Sequence, residues 1–165
     1  MQQLSPPQPI PYPYNPILKK LYRLPITLYR LGLGRLIGNQ ILILTTYGRK
    51  TGKVRRTPVE YFHHQGQYFV ISGFGEKANW YQNLQAHPRA GLNISGRLFC
   101  AVARKPQTEA EWDGVIAFLK ASPVTHLSEP NLSARLDDPE VREAIKTWPI
   151  FTFEPTNEAC PPALE

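Results

Sequence analysis

The amino-acid sequence predicts a mainly β fold with flanking helices, in the form of a small antiparallel barrel of six strands, closed or split. Six segments have the β-branched or alternating composition of strands, and the helical segments lie between and around them. The strands do not alternate regularly with helices, and no internal repeat is visible. A parallel βαβ architecture is therefore not expected.

Along the chain, four regions differ in composition. Residues 1–15 are rich in proline and predict an extended arm, and residues 16–38 have the helical spacing of a basic amphipathic segment, interrupted at Pro25. Residues 39–154 contain the strand patterns and are expected to form the barrel, whereas residues 155–165 are expected to be a flexible tail.

Three successive strands are predicted first, at residues 40–47, 54–63 and 67–73, and they are expected to form an antiparallel meander. Residues 89–95 and 97–105 predict a hairpin around Ser95-Gly96, and residues 149–154 predict the final strand.

Three further segments predict helices. Residues 79–86 form a short helical pattern closed by His87-Pro88, and residues 108–120 begin with a capping-box pair, Thr108 and Glu111. Residues 137–147 predict the third helix, with Asp138 as its cap and Pro139 at its first position.

Charge is distributed unevenly along the 165 residues, which are expected to form one domain. Residues 1–59 carry ten Lys and Arg and no acidic residue, whereas residues 60–165 carry nine Lys and Arg against thirteen Asp and Glu. The first third therefore either faces an anion, such as nucleic acid, anionic lipid or a phosphorylated small molecule, or faces water.

Several functional classes are not supported by the sequence. Cys100 and Cys160 lie far apart without a CxxC motif, which predicts neither a disulfide scaffold nor a zinc knuckle and favours a reducing compartment. His63 and His64 would point to opposite faces of a strand, so no metal site is expected. Neither a signal peptide nor a membrane span is predicted, so a cytoplasmic location is expected.

A dense cluster of positive charge is predicted at the turn between the first two strands. Five cations fall within the eight residues from Arg49 to Arg56, together with Gly52, which allows a tight turn. Such like charges repel each other unless an anion lies among them, and guanidinium and backbone N–H groups are suitable donors for phosphate and carboxylate. The alternative is a solvated turn whose charges serve solubility.

A second cluster, Ser72-Gly73-Phe74-Gly75, is followed closely by Trp80 and Tyr81. Small residues at a strand end would let a flat ring approach the backbone, and the Trp would supply a stacking face. Alternatively, these aromatic residues plug the mouth of the barrel.

The two clusters together resemble the deazaflavin-dependent nitroreductase family, which includes quinone reductases that use reduced coenzyme F420. The similarity lies in L-T-T-x-G-R-K-T-G-x-x-R-x-T-P at residues 44–58, Ser72-Gly73, and N-W-Y-x-N-L-x-A-x-P at residues 79–88. The resemblance implies a split β-barrel of the flavin-reductase (FMN-binding) type, which often pairs as a homodimer. It also implies hydride transfer from the deazaflavin to a quinone or another conjugated electrophile.

The resemblance assigns two groups of site residues. The cofactor's phosphate and acidic tail would be bound by Arg49, Lys50, Thr51, Arg55, Arg56 and Thr57. The deazaflavin ring would be cradled by Pro58, Val59, Ile71, Ser72, Gly73, Phe74, Trp80, Asn83 and Leu84.

Other interpretations stay open at this stage. FMN is the alternative cofactor, and a basic nucleic-acid-binding module is disfavoured because the aromatic residues are not interleaved with the cations. Residues 16–35 could lie on an anionic membrane surface. The family's substrate-side Tyr has no counterpart in residues 122–133, where Ser122, Thr125 and His126 could offer a hydrogen bond instead.

Overall fold

The computed structural model of the chain describes residues 24–34, 40–121 and 132–162. Its centre is one antiparallel, curled sheet of seven strands in the order β2-β1-β5-β6-β7-β4-β3. The strands are β1 (Ile41–Tyr47), β2 (Val54–Glu60), β3 (Phe62–His64), β4 (Gln67–Ile71), β5 (Arg89–Ile94), β6 (Arg97–Arg104) and β7 (Ile150–Pro155).

Five helices are described around the sheet. They are α1 (residues 24–30), α2 (Asn79–Ala86), α3 (Glu109–Ala121), α4 (Leu132–Arg135) and α5 (Pro139–Ile145), and a 3-10 turn spans Gly75–Lys77. The short α4 and the 3-10 turn were not predicted, because three or four residues are too few to show a helical period. The predicted arm at residues 1–15 and most of the basic segment lie outside the described residues.

The prediction of six strands is corrected to seven, because the second predicted strand is two strands. The chain breaks its pairing at Tyr61, whose N–H donates to the carbonyl of Gln40 at 3.0 Å. β2 pairs with β1, whereas β3 pairs with β4 at the opposite end of the sheet order. The predicted three-stranded meander is therefore wrong, since a continuous alternating pattern does not reveal a bend between two partners.

Two hydrophobic clusters lie on opposite faces of this sheet. The inner cluster contains Leu42, Val70 and Phe153 from the strands and is capped by α2 through Tyr81 and Leu84. In the outer cluster, Phe69 and Ile150 pack against α3 and α5. This arrangement places α2 at one mouth of the barrel, beside the β1–β2 turn.

The helix α1 covers another part of the outer face. Tyr29 packs against Ile43, and its hydroxyl donates to the carbonyl of Ile41 at 2.7 Å. Within the described residues, no helix combines the length and hydropathy that crossing a bilayer requires.

Of the two predicted helix caps, the one at α3 forms its hydrogen bonds, whereas the one at α5 makes no side-chain cap hydrogen bond. At α3 the capping box is confirmed, because Glu111 N–H donates to Thr108 Oγ1 at 3.3 Å and Thr108 N–H donates to the Glu111 carboxylate at 3.0 Å. Asp138 occupies the cap position of α5, but its carboxylate accepts a hydrogen bond from Arg135 Nε at 3.1 Å instead.

The structure corrects the interpretation of the cysteines. Cys100 on β6 and Cys160 form a disulfide with Cα atoms 5.7 Å apart. Because β6 and β7 are neighbours, the chain that leaves β7 passes Cys100, and Thr156 N–H donates to the Cys100 carbonyl at 2.9 Å. Of the residues predicted as a flexible tail, Pro155 is the last residue of β7, and residues 156–162 continue as a segment fastened to the sheet.

Candidate functional site

The cationic turn joins β1 and β2 as a tight hairpin loop. Gly48 N–H donates to the Lys53 carbonyl at 2.8 Å, and Gly52, with φ +63°, donates to the Gly48 carbonyl at 2.7 Å. A Cβ atom on Gly48 would lie 3.1 Å from Thr51 Oγ1 and 3.3 Å from the Lys53 carbonyl oxygen, so a larger residue at this position would make the loop shift.

The backbone of this loop is occupied by its own hydrogen bonds. The N–H groups of Gly48, Thr51 and Gly52 donate to carbonyls within the loop. Lys53 N–H donates to Thr51 Oγ1 at 3.4 Å, and Arg49 N–H donates to Asn83 Oδ1 at 3.1 Å. The sequence-based expectation of free backbone donors is therefore not met at these five positions, and any anion at the loop must be bound mainly by side chains.

The loop is fastened to α2 through Arg49. Its Nη1 donates to Asn79 Oδ1 and to Asn83 Oδ1, both at 3.2 Å. Asn83 is buried, and its Nδ2 donates to Thr46 Oγ1 at 3.2 Å. Asn83 was predicted to help cradle the deazaflavin ring, and its side-chain hydrogen bonds to Arg49 and Thr46 connect the loop, β1 and α2.

The two arginines of β2 point to opposite faces of the sheet. Arg55 is opposite Thr46, on the face that carries α2, whereas Arg56 is opposite Thr45, on the outer face. Arg56 Nη2 donates to the carbonyl of Pro162 at 3.5 Å. Arg55 therefore shares a face with the Arg49 anchor, and Arg56 does not.

Positive charge at this hairpin is not balanced by protein acids. Among the described residues, no Asp or Glu forms an ion pair with any of the five cations between Arg49 and Arg56, although nine such pairs form elsewhere. Lys50 and Arg55 are exposed, and Arg49 is half-buried. The arrangement can bind a ligand with several negative charges.

The residues predicted to cradle a ring are dispersed. Trp80, Leu84 and Val59 belong to the inner cluster, whereas Ile71 packs against the outer cluster. Ser72 is buried, and its hydroxyl donates to the Gly75 carbonyl at 2.7 Å. The predicted site residues that are exposed or half-buried are Arg49, Lys50, Thr51, Arg55, Arg56, Thr57, Pro58, Ile71, Gly73 and Phe74.

Two residues that the sequence analysis did not assign have a structural part in this site. Thr46 and Asn79 hold Asn83 and Arg49. The spacing of Asn79 and Asn83 was the available signal, since residues four apart on a helix share one face. Ser122, Thr125 and His126 lie outside the described residues.

Two cavities lie away from the hairpin. The larger, of about 250 Å³, lies between the end of α1 and the β5–β6 turn and is lined by Tyr29, Asn93 and Leu98 among others. The smaller, of about 110 Å³, lies between the β3–β4 turn and the start of α3. Neither contains a predicted site residue.

Comparison with known proteins agrees with the motifs. The model of the F420H(2)-dependent quinone reductase family matches residues 23–122. F420H(2)-dependent quinone reductases of two Mycobacterium tuberculosis strains are each 32% identical over 97 residues, which cover 53% of this chain and 64% of theirs. The match thus spans less than two thirds of these relatives.

A solved structure described as an F420-H2 dependent reductase (FDR-A) is 22% identical, with a TM-score of 0.46, and the match covers 70% of this chain and 94% of that one. The family model covers more than half of the chain and includes both the cationic hairpin and α2. The chain belongs to the F420H(2)-dependent quinone reductase family.

Proposed function

We propose that this chain is an oxidoreductase that binds reduced coenzyme F420 through the cationic hairpin and transfers hydride from it to a quinone. The observation that carries the proposal is the group of five cations without an acidic partner among the described residues. Membership of the quinone reductase family supports the choice of cofactor and acceptor.

Electrostatics at the hairpin favour a ligand with several negative charges. Arg49 Nη1 lies 3.2 Å from Asn79 Oδ1, and Asn79 is the first residue of α2. The amino end of a helix carries partial positive charge, so the helix adds to the field of the cations instead of offsetting it. A phosphate and an acidic tail placed there would relieve this repulsion.

The residues present fit such a group in chemistry and position. Arg49 uses Nη1 and its backbone N–H to hold α2, which leaves its other guanidinium nitrogens for a ligand. Lys50, Lys53 and Arg55 are exposed beside it. Guanidinium groups suit bidentate contacts to phosphate or carboxylate, and the ammonium groups act as point charges.

The chain would contribute binding and orientation rather than a reactive group. When bound, the reduced deazaflavin supplies a hydride, and the quinone takes up this hydride and a proton to become the hydroquinone. Arg49 and its asparagine anchors would fix the phosphate end, so that the ring lies toward Gly73 and Phe74. Holding two reactants in one geometry removes much of the entropic cost of their encounter.

Titration with coenzyme F420, followed by fluorescence, tests the binding step. We expect Arg55→Ala to raise the Kd by about 10-fold or more, since a charge-assisted hydrogen bond contributes about 1.5–3 kcal/mol. A deazaflavin riboside without phosphate or tail should bind weakly and be indifferent to the substitution. Arg97→Ala, at an exposed arginine on β6, is the matched control and should bind F420 like the parent protein.

Three results would contradict the proposed binding of F420. One is equal affinity of Arg55→Ala and the parent protein for F420. Another is tighter binding of FMN than of F420, which would favour the alternative cofactor. The third is retention on single-stranded DNA with a steep salt dependence, which would favour a nucleic-acid module. Absence of hydroquinone formation from a soluble quinone and reduced F420 would reject the acceptor.

Contact with an anionic membrane and a cytoplasmic location belong to the same proposal. The side chains of Leu24, Leu31 and Leu33 are 48%, 67% and 41% exposed beside Arg30, a combination that suits a membrane surface. Flotation with anionic vesicles, with and without residues 1–35, tests this contact, and equal flotation of both forms would reject it. The homodimer stays a prediction, which light scattering would check.

A further inference from the structure

A row of four residues crosses the outer face of the sheet. Arg56 on β2 pairs with Thr45 on β1, Thr45 pairs with Gly91 on β5, and Gly91 pairs with Cys100 on β6. Directly paired residues point to the same face of an antiparallel sheet, so the row is continuous. Thr45 and Gly91, in its middle, are both buried.

Residues 156–162 are attached to this part of the sheet at several points. The disulfide joins Cys160 to Cys100 at one end of the row, and Pro162 accepts a hydrogen bond from Arg56 at the other. Just before Cys160 in the chain, Arg89 on β5 donates to the Ala159 carbonyl at 3.3 Å and pairs with Glu158 at 3.2 Å. Pro161 is buried, so the segment lies against the sheet.

Geometry places the side chain of Arg56 along the sheet surface toward this segment. Three strand spacings separate Arg56 from Cys100, about 14 Å at ~4.8 Å each. Two residues of extended chain, from Cys160 to Pro162, cover at most about 7 Å. The arginine side chain must cover most of the remaining distance, and its Nε is buried without a hydrogen-bond partner among the described residues.

We propose that residues 156–162 form a redox-controlled strap, which the Cys100–Cys160 disulfide holds over the outer face of the sheet and over the Arg56 guanidinium, and which reduction of the disulfide releases. Cys100 and Cys160 are half-buried, so a reductant can reach them. Besides the disulfide, the segment is held by the Thr156–Cys100 backbone hydrogen bond, by the burial of Pro161, and by one ion pair and two hydrogen bonds that are exposed. The exposed contacts contribute little by themselves.

The chemical step is thiol–disulfide exchange with a small dithiol. One thiolate of the dithiol attacks a sulfur of the disulfide, and the other cysteine leaves as a thiolate. The second thiol of the reductant then displaces the bound cysteine. Two electrons reduce the protein to two thiols, while the dithiol is oxidised to its own disulfide. Release of the strap does not depend on the proposed function, whereas any effect on F420 binding rests on it.

The test measures the accessibility of Arg56 in the oxidised and reduced full-length protein. An arginine-selective dicarbonyl reagent, read by peptide mass spectrometry, should modify Arg56 several-fold faster after treatment with dithiothreitol, and reoxidation should restore protection. Amide hydrogen exchange at Thr156 should increase in parallel, because its N–H bonds the Cys100 carbonyl. Arg97, exposed in both states, is the internal reference.

The double substitution Cys100→Ser with Cys160→Ser should give fast modification of Arg56 with or without reductant. Circular dichroism of the reduced parent protein, which keeps both cysteines, checks that the sheet stays folded. Equal reactivity of Arg56 in both states, or continued protection of Thr156 after reduction, would overturn the proposal. So would two free thiols in the protein after oxidation. F420 titration of both states then shows whether release changes binding, a result that leaves the strap itself unaffected.

Discussion

Arginine side chains at two places in this molecule, the end of β6 and the cationic hairpin, differ in the charges that surround them. Arg104, at the end of β6, donates to Glu111 Oε1 at 2.6 Å and to Glu154 Oε1 at 2.7 Å. The cationic hairpin holds Arg49, Arg55 and Arg56, and no acid pairs with them among the described residues. The charge of Arg104 is therefore compensated by carboxylates of the protein, whereas the charges of the hairpin arginines are not.

The pKa shifts show how strongly Arg104 and Glu111 interact. The hydrogen bonds from Arg104, with those from the N–H groups of Gln107 and Thr108, lower the pKa of the Glu111 carboxyl from 4.5 to about 2, against the opposing effect of burial. The same hydrogen bond raises the pKa of Arg104 above its ordinary value. Because the pKa of the Glu111 carboxyl is lower in the folded protein, its ionised form stabilises the fold, whereas the cations of the hairpin are available to a ligand.

The largest effect is expected from Glu111→Gln. The substitution leaves Arg104 with a single acidic partner. It also removes the negative charge that accepts hydrogen bonds from Arg104 and from the N–H groups of Gln107 and Thr108. The free energy of unfolding should therefore fall by about 3–4 kcal/mol. Urea unfolding measures this loss. Glu154→Gln, on a side chain that is 50% exposed, is the matched control and should cost less than about 1 kcal/mol. Equal losses in both variants would remove the distinction between the buried and exposed carboxylates.

Acid should weaken the same pair in the parent protein. A carboxyl whose pKa is lowered on folding stabilises the folded state above its unfolded pKa, and this contribution is lost as the pH falls. For Glu111 the window runs from about 4.5 down to about 2, and a shift of this size corresponds to about 3 kcal/mol. Unfolding free energies across this range should decrease more steeply for the parent protein than for Glu111→Gln. Parallel curves of unfolding free energy against pH for the two proteins would contradict the assignment of this acid sensitivity to Glu111.

A smaller effect is expected where the hairpin is anchored. Asn83→Ala removes the acceptor of Arg49 N–H and the donor to the buried Thr46, so unfolding should become easier by about 2 kcal/mol. The Kd for F420 should rise as well, because Arg49 loses its fixed position. Asn79→Ala is the control, since Asn79 is exposed and accepts one bond; its cost should be about 0.5 kcal/mol. An Asn83→Ala protein that binds F420 normally would show that the anchor is dispensable.

The smallest effect tests the sign of the charge interaction. Lys53→Gln removes one cation from a cluster of like charges, so the ligand-free protein should gain about 0.3 kcal/mol at low salt, and the gain should vanish at high salt. Lys120→Gln removes a lysine that lies 2.7 Å from Asp137 and should lose stability instead. Thermal unfolding of both variants at two ionic strengths compares them, and a loss in both would mean that the hairpin charges do not repel appreciably.

Local patterns predicted much of the architecture. The α3 cap formed as expected because Thr108 and Glu111 are three residues apart and close their hydrogen bonds within one turn. The hairpin of β5 and β6 likewise follows from the Ser95-Gly96 turn. The break at Tyr61 was not predictable from these rules. β2 and β3 pair with different strands, and the alternation of apolar and polar residues along one strand does not show which strand it pairs with.

The candidate site, too, was predictable from the sequence only in part. The density of cations and the α2 motif are properties of the sequence, and they sufficed to predict an anion-binding hairpin beside an aromatic helix. The link from Arg49 to Asn83 joins residues 34 positions apart, and it could be seen only once β1 and α2 were placed together. The different faces of Arg55 and Arg56 follow from strand geometry, but the strand assignment was needed first.

The sequence alone determined where positive charge accumulates, where most strands and the longer helices form, and the family to which those motifs belong, because these depend on neighbouring residues. Only the tertiary structure decided which charges are paired and which are left for a ligand. It also decided that Cys100 meets Cys160. Both outcomes depend on contacts between segments far apart in the chain, whose positions follow from the curl of the whole sheet and the packing of its two faces.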